Sequence, residues 1–345
     1  MSAPGETARQ PAEWEPHAAV WTAWPSHAHY WEGHIAAARR DVAGLLDALA
    51  RPAAGRPEPE ALHVWADGDE ALDTLHQAAP GLEASIAREP LGDIWFRDIA
   101  PVFVRGAGGG LEYRNFRYNG WGGKYDMPHD ATVAARIARA TGLPGREVPM
   151  VFEGGALDAD GSGLGLTTRC CLLNPNRNPQ FGEDDIARLL QAHLGVDTLV
   201  WLDDGLLNDH TDGHVDNIAR FVAPRTVVCQ HPCGADDPNA AVLRTIAAAL
   251  LRFRTPSGAR LEVVEIPSPG KVTGPDGAVL PASHMNFYIA NHRVLVPVYG
   301  APREDAALAA LQDLFPGREV TGLPARGLLM GGGAFHCITQ QQPRP

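Results

Sequence analysis

No window of this 345-residue sequence approaches the ~18 consecutive apolar residues that a membrane-spanning helix requires. Its opening residues, MSAPGETARQPAEW, lack a basic stretch followed by an apolar one, so they do not read as a secretory signal. Positive charge is in the minority. Lys+Arg number 29 against 41 Asp+Glu, a formal net charge of −12, which repels nucleic acid and favours a cationic ligand. Cysteine is sparse and odd in number, five in all (170, 171, 229, 233 and 337), which points to free thiols in a reducing cytoplasm rather than a disulfide framework. The glycines at 161–165 lack the GK[ST] ending of a phosphate loop. No linker or low-complexity run divides the chain.

What is present fits a globular α/β protein. Hydrophobic residues make up 45% and charged residues 20%. The 37 glycines and 29 prolines imply many turns and short elements. Residues 1–12 read as a disordered tail and 13–343 as a single domain. Apolar periodicity near 3.6 predicts helices over 32–50, 69–79, 131–141 (capped by Asp130), 183–194, 238–253 and 303–315. Apolar, β-branched runs predict strands over 61–66, 94–104, 111–118, 148–153, 198–202, 214–222, 226–230, 261–266, 285–290 and 294–299, with a hairpin turn at Asp160-Gly161. The alternation suggests one quasi-repeated unit, although no repeat is visible in residue identities.

Four polar constellations interrupt these runs. Asp209-His210-Thr211-Asp212-Gly213-His214-Val215-Asp216-Asn217 leads into a predicted strand. Turn chemistry accounts for 209–213 but not for His214 and Asp216, which share one face if extended. Asp93-Ile94-Trp95-Phe96-Arg97-Asp98 puts three charges into an apolar run, and a shared site there requires the strand to end or twist. Glu153-Gly154-Gly155 places a carboxylate at a strand end before flexible glycines. Gly331-Gly332-Gly333-Ala334-Phe335-His336-Cys337 lets backbone approach closely beside a soft nucleophile. His336 points away from Cys337 in an extended segment, which leaves His214 as the natural base. A competing reading takes His210 and His214, spaced i, i+4, as metal ligands of a hydrolase. Their HTDGH stretch lacks the glutamate of HExxH, and Gly213 disfavours the helix that would align them.

Taken together in this order, WFRD (95–98), EGG (153–155), HVDN (214–217) and GGGAFHCITQQQP (331–343) make the sequence resemble the agmatine deiminase family of guanidino-group-modifying enzymes, relatives of bacterial peptidylarginine deiminases. Further matches are EWEPHAAVWTAWP (13–25), FRYNGWGGKY (116–125), LNPNRNP (173–179) and HMNFYIAN (284–291). The resemblance implies a pentein fold, five ββαβ-like units in a pseudo-fivefold α/β propeller. It implies Cys337 as nucleophile and His214 as general acid/base. Asp98 and Asp216 would grip the guanidinium, with Glu153 as a further acidic member. Trp95, Asn286 and Asp212 would stand beside the substrate. No cofactor and no metal are implied. The partner would be a small cationic guanidino compound, not nucleic acid or membrane, and a homo-oligomer stays open.

Such chemistry needs these residue types. A guanidinium is planar, delocalised and permanently charged, and carboxylates bind it in a fork that fixes its central carbon. The sequence departs from the family at Asp209-His210-Thr211-Asp212, where many members carry an acidic pair and an asparagine. Its loop after Trp121-Gly122-Gly123 is also shorter. Both departures bear on the far end of the pocket and leave free or peptide-linked arginine as an alternative substrate. The acids at 203, 204, 209 and 212 favour a cationic tail, whereas Arg97, Lys124 and Arg177 read as internal partners for surplus acids.

Overall fold

The computed structural model describes residues 8–345. It contains five small sheets that repeat one pattern. In the second unit β4 (Val102–Arg105) pairs antiparallel with β5 (Leu111–Arg117), and the helix Val133–Thr141 leads to β6 (Gly145–Val151), parallel to β5. The third unit does the same with β7 (Leu157–Ala159), β8 (Leu164–Thr168) and β9 (Thr198–Leu202), its helix being Glu183–Leu194. The fourth uses β10 (Ala219–Ala223), β11 (Thr226–His231), the helix Ala240–Arg252 and β12 (Glu262–Pro267). The fifth uses β13 (Tyr288–Ile289), β14 (Arg293–Val298), the helix Glu304–Leu314 and β15 (Glu319–Pro324).

The first unit closes the molecule. β1 (His17–Ala23) runs parallel to β2 (Ala61–Ala66) across the helix Ile35–Ala50, and β3 (Ser85–Arg88) adds an edge. Its antiparallel first strand comes from the far end of the chain, β16 (Gln340–Pro343). The five ββαβ-like units expected of a pentein are therefore present, one of them assembled from both termini. Each helix buries one stripe on its sheet. Ala38, Val42, Leu45, Leu46 and Leu49 of the first helix are buried, at the spacing of one helical face.

Several boundaries differ from the sequence reading for identifiable reasons. The first helix starts at Ile35, not 32, because Glu32 (φ 45°) and Gly33 (φ 86°) take left-handed conformations. The expected strand over 94–104 is interrupted by a helical turn, Phe96–Ile99. Pro101 then holds Ala100 extended (φ −85°, ψ 165°), so β4 begins only at Val102. The expected strand over 214–222 begins at Ala219, after a 3-10 turn at Val215–Asn217. Asp130 does not cap its helix; its carboxylate accepts from the Gly92 amide at 2.7 Å. The strands β1, β3, β15 and β16 were not expected. The expected tail over 1–12 is corrected for its second part. Ala8 and Ala12 are buried and Arg9 bridges to Arg105, whereas residues 1–7 lie outside the described residues.

The repeat also places the polar constellations. Asp98 precedes β4, Glu153 precedes β7, Asp216 precedes β10, Asn286 precedes β13 and Cys337 precedes β16. Each unit thus delivers one polar side chain from the segment leading into its first strand. Among the described residues no helix is long and apolar enough to cross a membrane.

Candidate active site

The short turns before the strands bring the five side chains together. A helical turn does for Asp98, and a 3-10 turn for Asp216, what an extended strand does not: each bends the chain so that the carboxylate turns inward. Gly155 marks their meeting point. A Cβ added there would lie 2.5 Å from His214 Nδ1, 3.0 Å from Asp216 Oδ2 and 3.0 Å from Asp98 Oδ1. Only glycine leaves that space free, and the Gly155 amide donates to Asp98 Oδ1 at 3.0 Å.

His214 is fully buried and neither ring nitrogen has a hydrogen-bond partner. Nδ1 stands 3.8 Å from Asp98 Oδ1, and Nε2 3.8 Å from Glu153 Oε2. Burial by itself would lower its pKa. Asp98, and then the Cys171 thiol and Glu153 beside it, outweigh burial and hold the imidazolium well above the ordinary histidine range. The Asp98 carboxyl is raised as well, by burial first and then by Asp216 and Glu153, against the pull of His214, and its Oδ2 accepts from Trp121 Nε1 at 2.9 Å.

Cys337 is 4% exposed. Asn286 Nδ2 donates to its sulfur at 3.0 Å, the Cys337 amide donates to Asn286 Oδ1 at 3.2 Å, and Asp216 Oδ2 lies 3.8 Å from the sulfur. Burial first, then Asp216 and Asp98, push the thiol well above its ordinary range, so in the empty site it keeps its proton.

Two buried ionic chains hold this centre. Asp216 Oδ2 meets His336 Nδ1 at 2.7 Å, and His336 Nε2 meets Glu13 Oε2 at 2.8 Å. Glu13 is also 2.9 Å from Arg220 Nη2, and Arg220 pairs with Asp158. Despite burial, His336 and the neighbouring cations keep Asp216 below the usual carboxylate range. On the other side Arg177 Nε donates to Glu153 Oε1 at 2.9 Å, Arg177 Nη1 pairs with Asp212, and Lys124 Nζ reaches Asp212 Oδ1 at 2.5 Å. Against burial, Glu153 is held below its usual range by the neighbouring His214 and Arg177.

A cavity of about 160 Å³ opens onto this centre. Trp95, Asp98, Trp121 and Cys337 line its inner part; Asp93, Tyr30, Glu32, Tyr125, Met127 and His210 line the rest. The structure therefore brings together Cys337, His214, Asp216, Asp98, Glu153 and Trp95. Two expected substrate neighbours have protein partners here: Asn286 donates to the Cys337 sulfur, and Asp212, turned by a left-handed backbone (φ 68°), clamps Arg177 and Lys124. Arg97, Lys124 and Arg177 are internal partners of acids, as read from the sequence, Arg97 meeting Glu13 at 3.4 Å.

The pairing of His210 with His214 as metal ligands is also corrected. Gly213 (φ 93°) and Asp212 break any helix there, and His210 Nδ1 sits 3.0 Å from the Tyr125 hydroxyl. The described histidine, cysteine and carboxylate donors that cluster within 4.8 Å are those of Glu153, Cys171 and His214, and Arg177 already holds Glu153. Sequence reasoning missed Glu13, His336, Arg220 and Trp121 as members of the site. A signal existed for three of them, since Glu13, Trp121 and His336 lie inside the quoted motifs. Their partners are too distant in sequence to infer.

A family model described as "Porphyromonas-type peptidyl-arginine deiminase" matches residues 9–343. An agmatine deiminase of Stutzerimonas stutzeri is 37% identical over 97% of this chain and 95% of its own. The solved agmatine deiminase of Enterococcus faecalis superposes with a TM-score of 0.89 at 29% identity, covering 99% of this chain and 98% of that one. An amidinotransferase from Microseira wollei shares the fold alone, with a TM-score of 0.57 at 12% identity, covering 98% and 97%.

Two outcomes follow from the geometry. Gly155→Ala should cut turnover at least ~100-fold, because an ångström of displacement at reacting groups costs that much. Measured kcat/KM near the parent value would mean that the three groups do not act at one point. Histidine NMR should find His214 protonated at pH 7 in the resting protein. Asp98→Asn should lower its pKa, since burial then prevails; an unchanged titration would remove Asp98 as its main support.

Proposed function

We propose that this chain, which belongs to the Porphyromonas-type peptidyl-arginine deiminase family, hydrolyses agmatine to N-carbamoylputrescine and ammonia through a covalent intermediate on Cys337. The carrying observation is the single point at Gly155 within 3.0 Å of Asp98, Asp216 and His214, with Cys337 Sγ 3.8 Å from Asp216. Two carboxylates, an imidazole and a thiol converge there, and the cavity wall beside them carries no arginine or lysine. The agmatine deiminases that this chain resembles support this reading.

The guanidinium is gripped by Asp98 and Asp216, which fixes its central carbon against Cys337. Its positive charge offsets the two carboxylates that hold the thiol protonated, so the thiol proton leaves to solvent as the cation arrives. The thiolate adds to the central carbon. His214, protonated at rest, gives its proton to the departing nitrogen, which leaves as ammonia. An amidino-thioether remains on Cys337. Neutral His214 then takes a proton from water, and the hydroxide adds to the same carbon. Collapse breaks the C–S bond, releases the ureido product and returns the thiolate, which is reprotonated. Glu153, oriented by Arg177, supports the imidazolium at each stage. Asn286 acts as a positioning residue through its two hydrogen bonds to Cys337.

Agmatine is favoured over arginine by charge. Of the expected acids at 203, 204, 209 and 212, three are engaged elsewhere, Asp203 with Arg169, Asp209 with Thr211 and Asn217, Asp212 with Arg177 and Lys124, and Asp204 is exposed away from the cavity lining. The acidic lining comes instead from Asp93 and Glu32. An α-carboxylate brought against the buried Asp93 would meet like-charge repulsion of several kcal/mol. Five free cysteines support a cytoplasmic setting.

Cys337→Ala is expected to abolish ammonia release while the circular dichroism spectrum and melting temperature hold. Appreciable turnover by this variant would overturn the covalent route. The ratio of kcat/KM for agmatine to that for arginine should exceed about 10 at neutral pH, as like-charge repulsion of this size requires. A ratio at or below one would instead assign free or peptidyl arginine as substrate.

A further inference from the structure

Two adjacent buried carboxylates, one of them at the cavity wall, have no cation to meet them. Asp93 is 4% exposed and Asp130 is fully buried. The Asp130 carboxylate accepts from the amides of Gly92 and Asp93, which places the two acids side by side. The nearby cations are already taken: Arg136 pairs with Glu89 at 2.8 Å, and His27 with Asp67 at 3.0 Å. Burial pushes both carboxyls up to about 7, as expected where no cation compensates. Unlike Asp130, Asp93 also lines the cavity that holds Cys337.

Trp95 connects Asp93 to the reacting centre. Its Nε1 donates to Asp93 Oδ2 at 2.9 Å. Its opposite edge overhangs Gly333, where an added Cβ would lie 2.6 Å from Trp95 Cζ3 and 3.0 Å from Cys337 Sγ. One indole therefore separates the sulfur from the unmatched carboxylate, a span suited to a short methylene chain laid along the ring. Trp31 is stacked on Trp95, with centroids 6.0 Å apart, and steadies the indole.

We propose that Asp93 is the specificity-determining residue for the substrate tail. It accepts the distal ammonium of a guanidino amine whose guanidinium occupies Asp98 and Asp216 and whose methylenes lie against Trp95. Glu32, at the exposed rim, is screened by solvent and contributes little. This assignment rests on the deiminase reading above.

The test compares kcat/KM for agmatine and n-butylguanidine, which differ only in the terminal ammonium, on the parent protein and on Asp93→Asn. Asparagine keeps an acceptor for Trp95 Nε1. The parent should favour agmatine at least ~10-fold, mainly through KM, as expected for a desolvated charge pair. In Asp93→Asn that preference should collapse, with agmatine losing far more than butylguanidine. Equal losses on both substrates would make Asp93 a support for Trp95 only and overturn the proposal. So would an unchanged ratio, or loss of the preference in Glu32→Gln instead. Should Asp93→Asn fail to fold, Asp93→Glu, with its carboxylate one methylene further into the cavity, should move the optimum to the aminopropyl homologue. An unmoved optimum then overturns the assignment. Absence of turnover of both guanidines by the parent, with arginine consumed, would refute the deiminase reading for agmatine rather than the tail contact alone.

Discussion

A carboxylate taken out of water must be met by positive charge or by hydrogen bonds, and the centre of this molecule is organised around that requirement. Glu13, Asp98, Glu153, Asp158 and Asp216 are all buried. Glu13, Asp158 and Asp216 share His336 and Arg220, and Glu153 has Arg177. Asp98 is left with a half-distant His214 and two neutral donors. The surplus of negative charge is therefore concentrated beside Cys337, where the guanidinium of the proposed substrate would resolve it. In the proposed reaction, binding energy and activation of the thiol have the same origin, because the carboxylates that would attract the guanidinium also keep the thiol protonated.

The fivefold repetition makes this concentration possible. Each unit contributes a segment just ahead of its first strand, so five stretches far apart in sequence converge without any one of them carrying the whole site. The convergence depends on closing the first unit. β16 pairs with β1, so the chain end that carries Cys337 is anchored in a sheet shared with the opening residues. Thr22 ties the same strands by donating to the Ile338 carbonyl at 2.7 Å, and Arg97 reaches Gln341 Oε1 at 2.6 Å. Cys337 is held from both sides of its segment, which suits the nucleophile proposed for it, whose displacement by an ångström would matter.

Helices with strong apolar stripes, such as Glu183–Leu194 and Ala240–Arg252, were legible within a residue or two, because burial of one face is written into local spacing. The Asp160-Gly161 hairpin was legible for the same local reason. The segment 94–104 was not. Its composition favours a strand, and the turn at Phe96–Ile99 is fixed by packing and by Pro101. Within the site, Cys337, His214, Asp216, Asp98, Glu153 and Trp95 were named from motifs, but the motifs say nothing of which atoms meet.

The sequence by itself determined the residue types, their order along the chain and the excess of acid, since these follow from composition and local pattern. Only the tertiary structure decided their pairing. It assigned Asp212 to Arg177 and Lys124, Asn286 to the sulfur of Cys337, His336 to Asp216 and Glu13, and Asp93 to the wall of the cavity. Charge acts through space: which carboxylate is neutralised and which stays unmatched depends on distances between residues as far apart as 13 and 336, and no local pattern encodes a distance of that kind.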